Sequence, residues 1–292
     1  NQYTMLQCIG PSYDGFAYLP ALATRGGIFI AWDSTRVNLS NFVNDTNFIT
    51  GYVLPREGNA WWLTVVYGPQ EDAQKVMFLE ELAERHSYCP GPWLVIGDFN
   101  IILHAADKNN SRIDRRMMGK FKKFVDDNAL KELFLHGRKY TWSNDRERPT
   151  LTKIDRAFAS VDWEMDHPES LLQALSTSHS DHCPLYLSLE EHLQSKRRFR
   201  FELFWTKMEG FLDMVKEAWM CEEEITDPFI RLDVLLRNTA RHLTAWGQKK
   251  VGNIKMQIAV ANAVILRFDV AQEQRLLSEE ERWLRKTLKH MV

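Results

Sequence analysis

The sequence has 292 residues, 45% of them hydrophobic and 26% charged, which suits one large folded domain or a domain with an extension and excludes a disordered chain. Acids and bases nearly cancel, 39 against 37, so any attraction to nucleic acid must come from local patches rather than from global charge. No apolar run is long enough to span a bilayer, and the four cysteines (8, 89, 183 and 221) form no C-x-x-C pair, which argues against a disulfide framework or zinc cluster and fits a reducing, intracellular compartment.

In chain order, Gly27–Trp32 predicts a strand behind a Gly-Gly turn, Phe48–Val53 a second, and Trp61–Tyr67 a third closed by Gly68-Pro69. Val76, Leu79, Leu82 and Ala83 recur at helical spacing, and Trp93–Asp98 reads as a buried strand. An Arg-rich loop, Arg112–Arg116, precedes a helix marked by Phe121, Phe124, Val125 and Leu130. Short strands are expected at Tyr140–Ser143, Ile154–Ala159 and Pro184–Ser188. This mixture suggests an α/β sandwich of sheets covered by helices.

After Glu190 the texture changes. A basic-aromatic junction, Lys196-Arg197-Arg198-Phe199-Arg200-Phe201, is followed by apolar residues three or four apart, at Phe211, Met214, Val215, Ala218 and Trp219, at Leu232, Leu235, Leu236, Leu243 and Trp246, and at Ile254, Ile258, Ala261, Ile265 and Phe268. Ser278 followed by three Glu reads as an N-cap with acids in the first turn. Residues 199–292 therefore predict a helical extension, as long antiparallel hairpins that could self-associate, with Trp205, Trp219, Trp246 and Trp283 mostly on buried faces.

Three polar constellations interrupt this pattern. Gly97-Asp98-Phe99-Asn100 ends an apolar strand, where a rigid base can present a carboxylate and an amide to a ligand; an Asx turn explains the tetrapeptide equally well. Asp155 lies inside an apolar strand, where a carboxylate requires a partner: a histidine, or else Lys153 or Arg156. Ser178–Leu185 sets Asp181 beside His182, types that can bind a metal and move a proton, or simply form a solvated turn.

The order and distances of Gly97-Asp98-Phe99-Asn100, Thr141-Trp142-Ser143-Asn144, Lys153-Ile154-Asp155-Arg156 and Ser180-Asp181-His182-Cys183-Pro184-Leu185 resemble the endonuclease/exonuclease/phosphatase superfamily, the DNase I-like fold. The resemblance is greatest to the endonuclease domain of plant LINE-type, non-LTR retrotransposons. It divides the chain into an enzyme-like domain over 1–190 and a helical region over 191–292 similar to the linker that precedes reverse transcriptase. It implies a DNase I-like β-sandwich flanked by helices and Mg²⁺-dependent hydrolysis of DNA that leaves a 3′-hydroxyl. Asp98 would activate the attacking water, Asn100 would hold the phosphate, His182 would stabilise its developing charge, and Asp155 would orient His182. Asp181, with Asp98, would serve the metal; Tyr67, Trp142 and Asn144 would contact substrate. An active element would work in the nucleus.

The same comparison implies two departures. The family opens with a strand carrying Asn and another ending in a metal-binding Glu of the Gln-Glu-Thr-Lys type, whereas this sequence begins NQYTMLQCIG, as if entered after that Glu. A truncated domain lacking its first strands is therefore expected to expose sheet edges and to nick poorly. The alternative is an inactive remnant that binds nucleic acid or protein. A phosphoinositide- or sphingomyelin-type phosphoesterase is disfavoured by the retroelement-like tail. DNA binding is expected to be weak and salt-dependent, through Arg112–Arg116 and Lys196–Arg200.

Overall fold

The computed structural model describes residues 13–21, 26–189, 199, 201, 203–220 and 227–291. The basic side chains Lys196, Arg197, Arg198 and Arg200, the opening segment 1–12, and Cys8 and Cys221 lie outside the described residues.

The elements run β1 (Gly15–Leu19), β2 (Ile28–Trp32), β3 (Val37–Asn44), β4 (Phe48–Pro55), β5 (Trp61–Tyr67), α1 (Asp72–Ser87), β6 (Trp93–Asp98), α2 (Arg115–Asp127), β7 (Leu130–Glu132), β8 (Leu135–His136), β9 (Trp142–Ser143), β10 (Leu151–Thr152), β11 (Asp155–Ser160), α3 (Val161–Asp166), β12 (Leu171–Ala174), β13 (Leu185–Ser188), α4 (Phe211–Trp219), α5 (Pro228–Gln272) and α6 (Glu279–Met291). Six strands form one sheet in the order β3-β4-β5-β6-β11-β7, and three form a second in the order β13-β12-β8. β1 pairs only with β2, as a separate hairpin, and β13 is paired on one side only among the described residues.

Alternation along the strands decides what each face buries. Phe48, Val66, Trp93, Val95 and Phe158 turn to one side of the six-stranded sheet and meet Phe78, Leu79 and Leu82 of α1 and Phe121 and Phe124 of α2. Leu94, Ala157 and Ala159 turn to the other side and meet Leu135, Leu172, Ala174, Leu185 and Leu187 of the smaller sheet, together with Ile30 and Trp32. The result is an α/β sandwich with helices on one outer face. Strands β5 and β6 run parallel and are joined by α1, whereas β11 returns antiparallel to β6.

Several predicted boundaries shift. The second helix starts at Arg115, where Asp114 caps the amides of Arg116 and Met117, and Leu130 belongs to a strand rather than to that helix. Asp227 caps the next long helix by accepting from Phe229 and Ile230, with Pro228 in the first turn. The apolar segments predicted from 232 to 268 form one 45-residue helix, α5, against which α4 and α6 pack. Ser278 caps α6 as read from the sequence: its hydroxyl accepts from the Glu281 amide at 3.2 Å. Trp205 is buried with Met214 and Leu243, but Trp219 and Trp283 are exposed, as are Leu232, Leu236, Ile254 and Ile258. Helical spacing aligns a face; it does not supply something to cover it.

Candidate active site

The glycine beside Asp98 answers a steric demand. Gly97 has φ +140°, and a Cβ there would lie 2.2 Å from the Val66 carbonyl oxygen. A Cβ at Gly68 would lie 2.3 Å from the Phe99 carbonyl oxygen. The ends of β5 and β6 therefore touch backbone to backbone, and the Gly68 amide donates to the Asp98 carbonyl at 2.6 Å. This close approach fixes Asp98 at the end of a central strand, where it is buried. Asn100 completes the turn in the left-handed region, φ +52°, which asparagine tolerates. Its backbone amide donates to Asp98 Oδ1 at 2.8 Å, and its Nδ2 donates to Asp98 Oδ2 at 3.1 Å and to the Gly68 carbonyl at 2.8 Å. The Asn100 side chain is thus turned inward to hold Asp98, and its amide hydrogens are committed there instead of facing a ligand.

Register brings the second carboxylate. Asp155 is the direct antiparallel partner of Asp98. The Thr141 hydroxyl accepts from the amides of Ile154 and Asp155 at 3.1 and 3.0 Å, pinning the start of β11. The two cations that compete for Asp155 in the sequence are engaged elsewhere: Lys153 pairs with Glu132 at 2.7 Å, and Arg156 with Asp107 and Glu132. Asp155 instead faces His182, whose Nδ1 lies 3.0 Å from both of its carboxylate oxygens. His182 reaches this position from the segment ahead of β13, held by a bridge to Trp142 and by the Cys183 amide, which donates to the Thr141 carbonyl at 2.7 Å.

Ligand atoms of Asp98, Asp155 and His182 all lie within 4.8 Å of one another. Burial, with the nearby charge of Asp155, pushes the Asp98 carboxyl up to about 7. Burial works against the His182 imidazolium, but the hydrogen bond to Asp155 and the charges of Asp155, Asp98 and Asp181 outweigh it and raise its pKa. Neither buried thiol offers a nucleophile at neutral pH, since burial pushes Cys89 to about 11 and Cys183 to about 12.

The remaining predicted residues sit around this group in different ways. Asp181 is exposed and outside the three-residue cluster; its carboxylate accepts from the Trp142 indole at 2.8 Å. Tyr67 ends β5 in register with Asp98, its ring beside Gly26. Asn144 closes its own loop, Oδ1 accepting from the Thr150 amide at 2.9 Å, so that acceptor is used locally. Thr141 is the residue whose role the sequence left unassigned, although it opens the Thr-Trp-Ser-Asn motif. The only signal was its position, one residue before Trp142.

The Endonuclease/Exonuclease/phosphatase family model matches residues 18–182. No curated protein matches the chain. Among solved structures the chain is similar to the endonuclease domain of TRAS1, a telomere-specific non-LTR retrotransposon, at 14% identity over 62% of this chain and 81% of that one, with a TM-score of 0.47. It is similar to the 3′ phosphatase NExo from Neisseria, bound to a product DNA hairpin, at 16% identity over 64% and 82% of the two chains, TM-score 0.47. It is also similar to the human Nocturnin catalytic domain, at 16% identity over 64% and 76%, TM-score 0.41. The family match spans more than half of the sequence and every strand that carries Asp98, Asp155 and the approach to His182, and on that ground this chain belongs to the endonuclease/exonuclease/phosphatase family.

Proposed function

We propose that this chain hydrolyses phosphodiester bonds in DNA, as the endonuclease of a LINE-type retroelement does. The observation that carries the reading is the convergence of buried Asp98 with part-buried Asp155 and His182 at the end of the central strands. Two converging carboxylates, one raised to about 7, mark a place short of positive charge. That donor set fits a hard divalent cation such as Mg²⁺, which Asp98 and Asp155 would hold. Bound there, such an ion would polarise the phosphoryl oxygen and offset the charge that attack builds.

The chain's own residues divide the remaining work. Asp98 orients the attacking water and takes its proton. Asp155 takes the hydrogen bond of His182 Nδ1–H and favours the imidazolium, whose second proton, on Nε2, faces an oxygen of the scissile phosphate. The water oxygen bonds to phosphorus, the P–O3′ bond breaks, the leaving O3′ takes a proton from solvent, and a 3′-hydroxyl and a 5′-phosphate result. Asn100 keeps Asp98 in place. Substrate capture is supported by exposed arginines in two adjoining places, Arg112 on a loop with Arg115 and Arg116 in the first turn of α2, and Arg146 and Arg148 on a second loop. Asn109 ties these loops together through the Pro149 carbonyl and the Leu151 amide. Phosphates on such a surface give binding that weakens steeply with salt.

A second reading, binding without turnover, draws on one specific observation. No glutamate joins the cluster among the described residues, and Asp181 is engaged with Trp142. Nicking of supercoiled plasmid in Mg²⁺, with an EDTA control, separates the two. The hydrolase reading expects EDTA-sensitive nicking that His182→Ala lowers by about 10²- to 10⁴-fold. Salt-sensitive DNA binding with no nicking establishes the second reading, and nicking indifferent to both His182→Ala and Asp98→Ala overturns the site.

A further inference from the structure

The helical region reaches back to the strand segment that holds the site. The Glu273 carboxylate, one residue beyond the end of α5, accepts from the backbone amides of Lys139 at 3.0 Å and Tyr140 at 3.2 Å. Asp269, on the last turn of α5, is 4% exposed and pairs with Arg138 at 3.0 Å. Arg285 of α6 bridges Asp269 at 2.7 Å to Asp145 at 3.1 Å, and Lys289 adds a second cation to Asp145 at 2.9 Å. These side chains, from two helices, grip residues 138–145 along their length.

What they grip is the support of the catalytic pair. Tyr140 is followed directly by Thr141, whose hydroxyl holds the Asp155 amide and whose carbonyl holds the Cys183 amide. Trp142 comes next, bridged to His182 and donating to Asp181, and the Ser143 amide donates to the Asp181 carbonyl at 3.0 Å. The segment has little regular structure of its own: β9 and β10 form a two-stranded ribbon with two residues each. So short a pairing is marginal by itself, and charge-assisted hydrogen bonds from outside are the stronger restraint.

We infer that the C-terminal helices are a clamp on the active site, with Glu273 a positioning residue that fixes Thr141 and Trp142 and, through them, Asp155 and His182. The inference adds the helical region to the site proposed above and depends on that site only for its effect on turnover.

The test uses the full chain and a readout that does not need activity. In ¹⁵N-tryptophan-labelled protein the Trp142 indole resonance is assigned by its loss in Trp142→Phe, and amide hydrogen exchange is followed across 138–145, 153–157 and 181–184. Glu273→Ala is expected to move or broaden the Trp142 indole resonance and to speed exchange about tenfold at Asp155 and Cys183 as well as at 139–140, the scale of losing a charge-assisted hydrogen bond. Glu273→Gln, which keeps an acceptor oxygen, should recover part of both effects and covers the case in which the alanine variant fails to fold. Where nicking is measurable, kcat should fall by up to about a hundredfold with KM little changed, as for misplacement by about 1 Å. Faster exchange confined to 138–140, with the Trp142 resonance and the 153–157 and 181–184 amides unmoved, overturns the clamp. Loss of nicking by His182→Ala alongside a silent Glu273→Ala would leave the site intact and reject only its control by the helices.

Discussion

Asp155 and Arg156 are neighbours on one strand, both are charged and both are removed from solvent, yet they live in opposite electrostatic worlds. Arg156 turns to the helix-covered face and is 1% exposed. There two carboxylates, Asp107 and Glu132, answer its guanidinium, the Lys153 carbonyl accepts at 3.0 Å, and Lys153 in turn pairs with Glu132. Asp155 turns to the other face and meets a second carboxylate, Asp98, and among the described residues His182 alone is set against the two. Buried charge that is matched locally fastens the fold. Buried charge left in excess keeps a place ready for something that supplies the opposite sign.

The largest expected effect breaks the comparison on the Asp155 side. His182→Ala should remove catalysis by about 10²- to 10⁴-fold while lowering the urea midpoint less than the loss of Arg156 does, because the His182 side chain is only part-buried. A matching loss of stability would mean that the pair is a structural tie like that of Arg156. On the other side of the strand, Arg156→Met should cost about 3–5 kcal/mol, the price of leaving buried carboxylates without their partner, read as a lower midpoint in urea with an unchanged m-value. If that variant proves as stable as the parent, the Asp107–Arg156–Glu132 network is not what holds β11 to its surroundings.

The excess of negative charge also has a pH signature. Asp98 titrates near 7 in the fold against 3.8 ordinarily. The native state then holds more protons than the unfolded chain between these values, so stability falls as pH rises from about 4 to 7. His182, raised as well, contributes stability below its ordinary value of 6.5 that is lost as pH climbs through its raised one. Both slopes have the same sign. In EDTA the melting temperature should fall by roughly 5 °C across this range, Mg²⁺ should restore more of it at pH 8 than at pH 5, and Asp98→Asn should flatten the profile. A melting temperature that rises towards neutrality in EDTA, with Asp98→Asn no different, would contradict the assignment of the excess charge.

These features were unequally legible in the sequence. The strands ending at Trp32, Tyr67 and Asp98 announced themselves through apolar runs punctuated by glycine, and the order of the four motifs pointed to three residues that the fold brings together, Asp98, Asp155 and His182. The pairing of Asp155 was open between a histidine and two nearby cations, because the choice depends on Glu132 and Asp107, which lie 24 and 49 residues from Arg156. The inward turn of Asn100 was hidden for the same reason: its acceptor is the Gly68 carbonyl, 32 residues back. β3 escaped notice because VNLSNFVN mixes polar residues into an edge strand with a bulge and has Asn41 at φ +51°. In the helical region the expected hairpins give way to one long helix, and α5 runs through both Gly247 and Gly252. Trp205 occupies the space above Gly247, where a Cβ would come within 2.9 Å of its ring.

The smallest effect sharpens the comparison at the rim of the site. Asn144 stands two residues from Trp142 and belongs to the motif that implied substrate contact, but its Oδ1 accepts from the Thr150 amide at 2.9 Å and from the Arg146 amide at 3.4 Å. By the logic of matched and unmatched groups it is a loop tie, while a residue for substrate would keep its acceptor free. Asn144→Ala should therefore cost about 1 kcal/mol of stability, the net worth of an ordinary hydrogen bond. Asn144→Asp, which preserves the acceptor, should cost less. Both variants should bind a short DNA duplex with affinities within about threefold of the parent at matched salt, since the arginines at 146 and 148 are retained and a small shift in the loop is a fraction of the ~1.4 kcal/mol that makes a tenfold change. A large loss of DNA affinity in Asn144→Ala at unchanged stability would reverse the assignment and return Asn144 to the substrate surface.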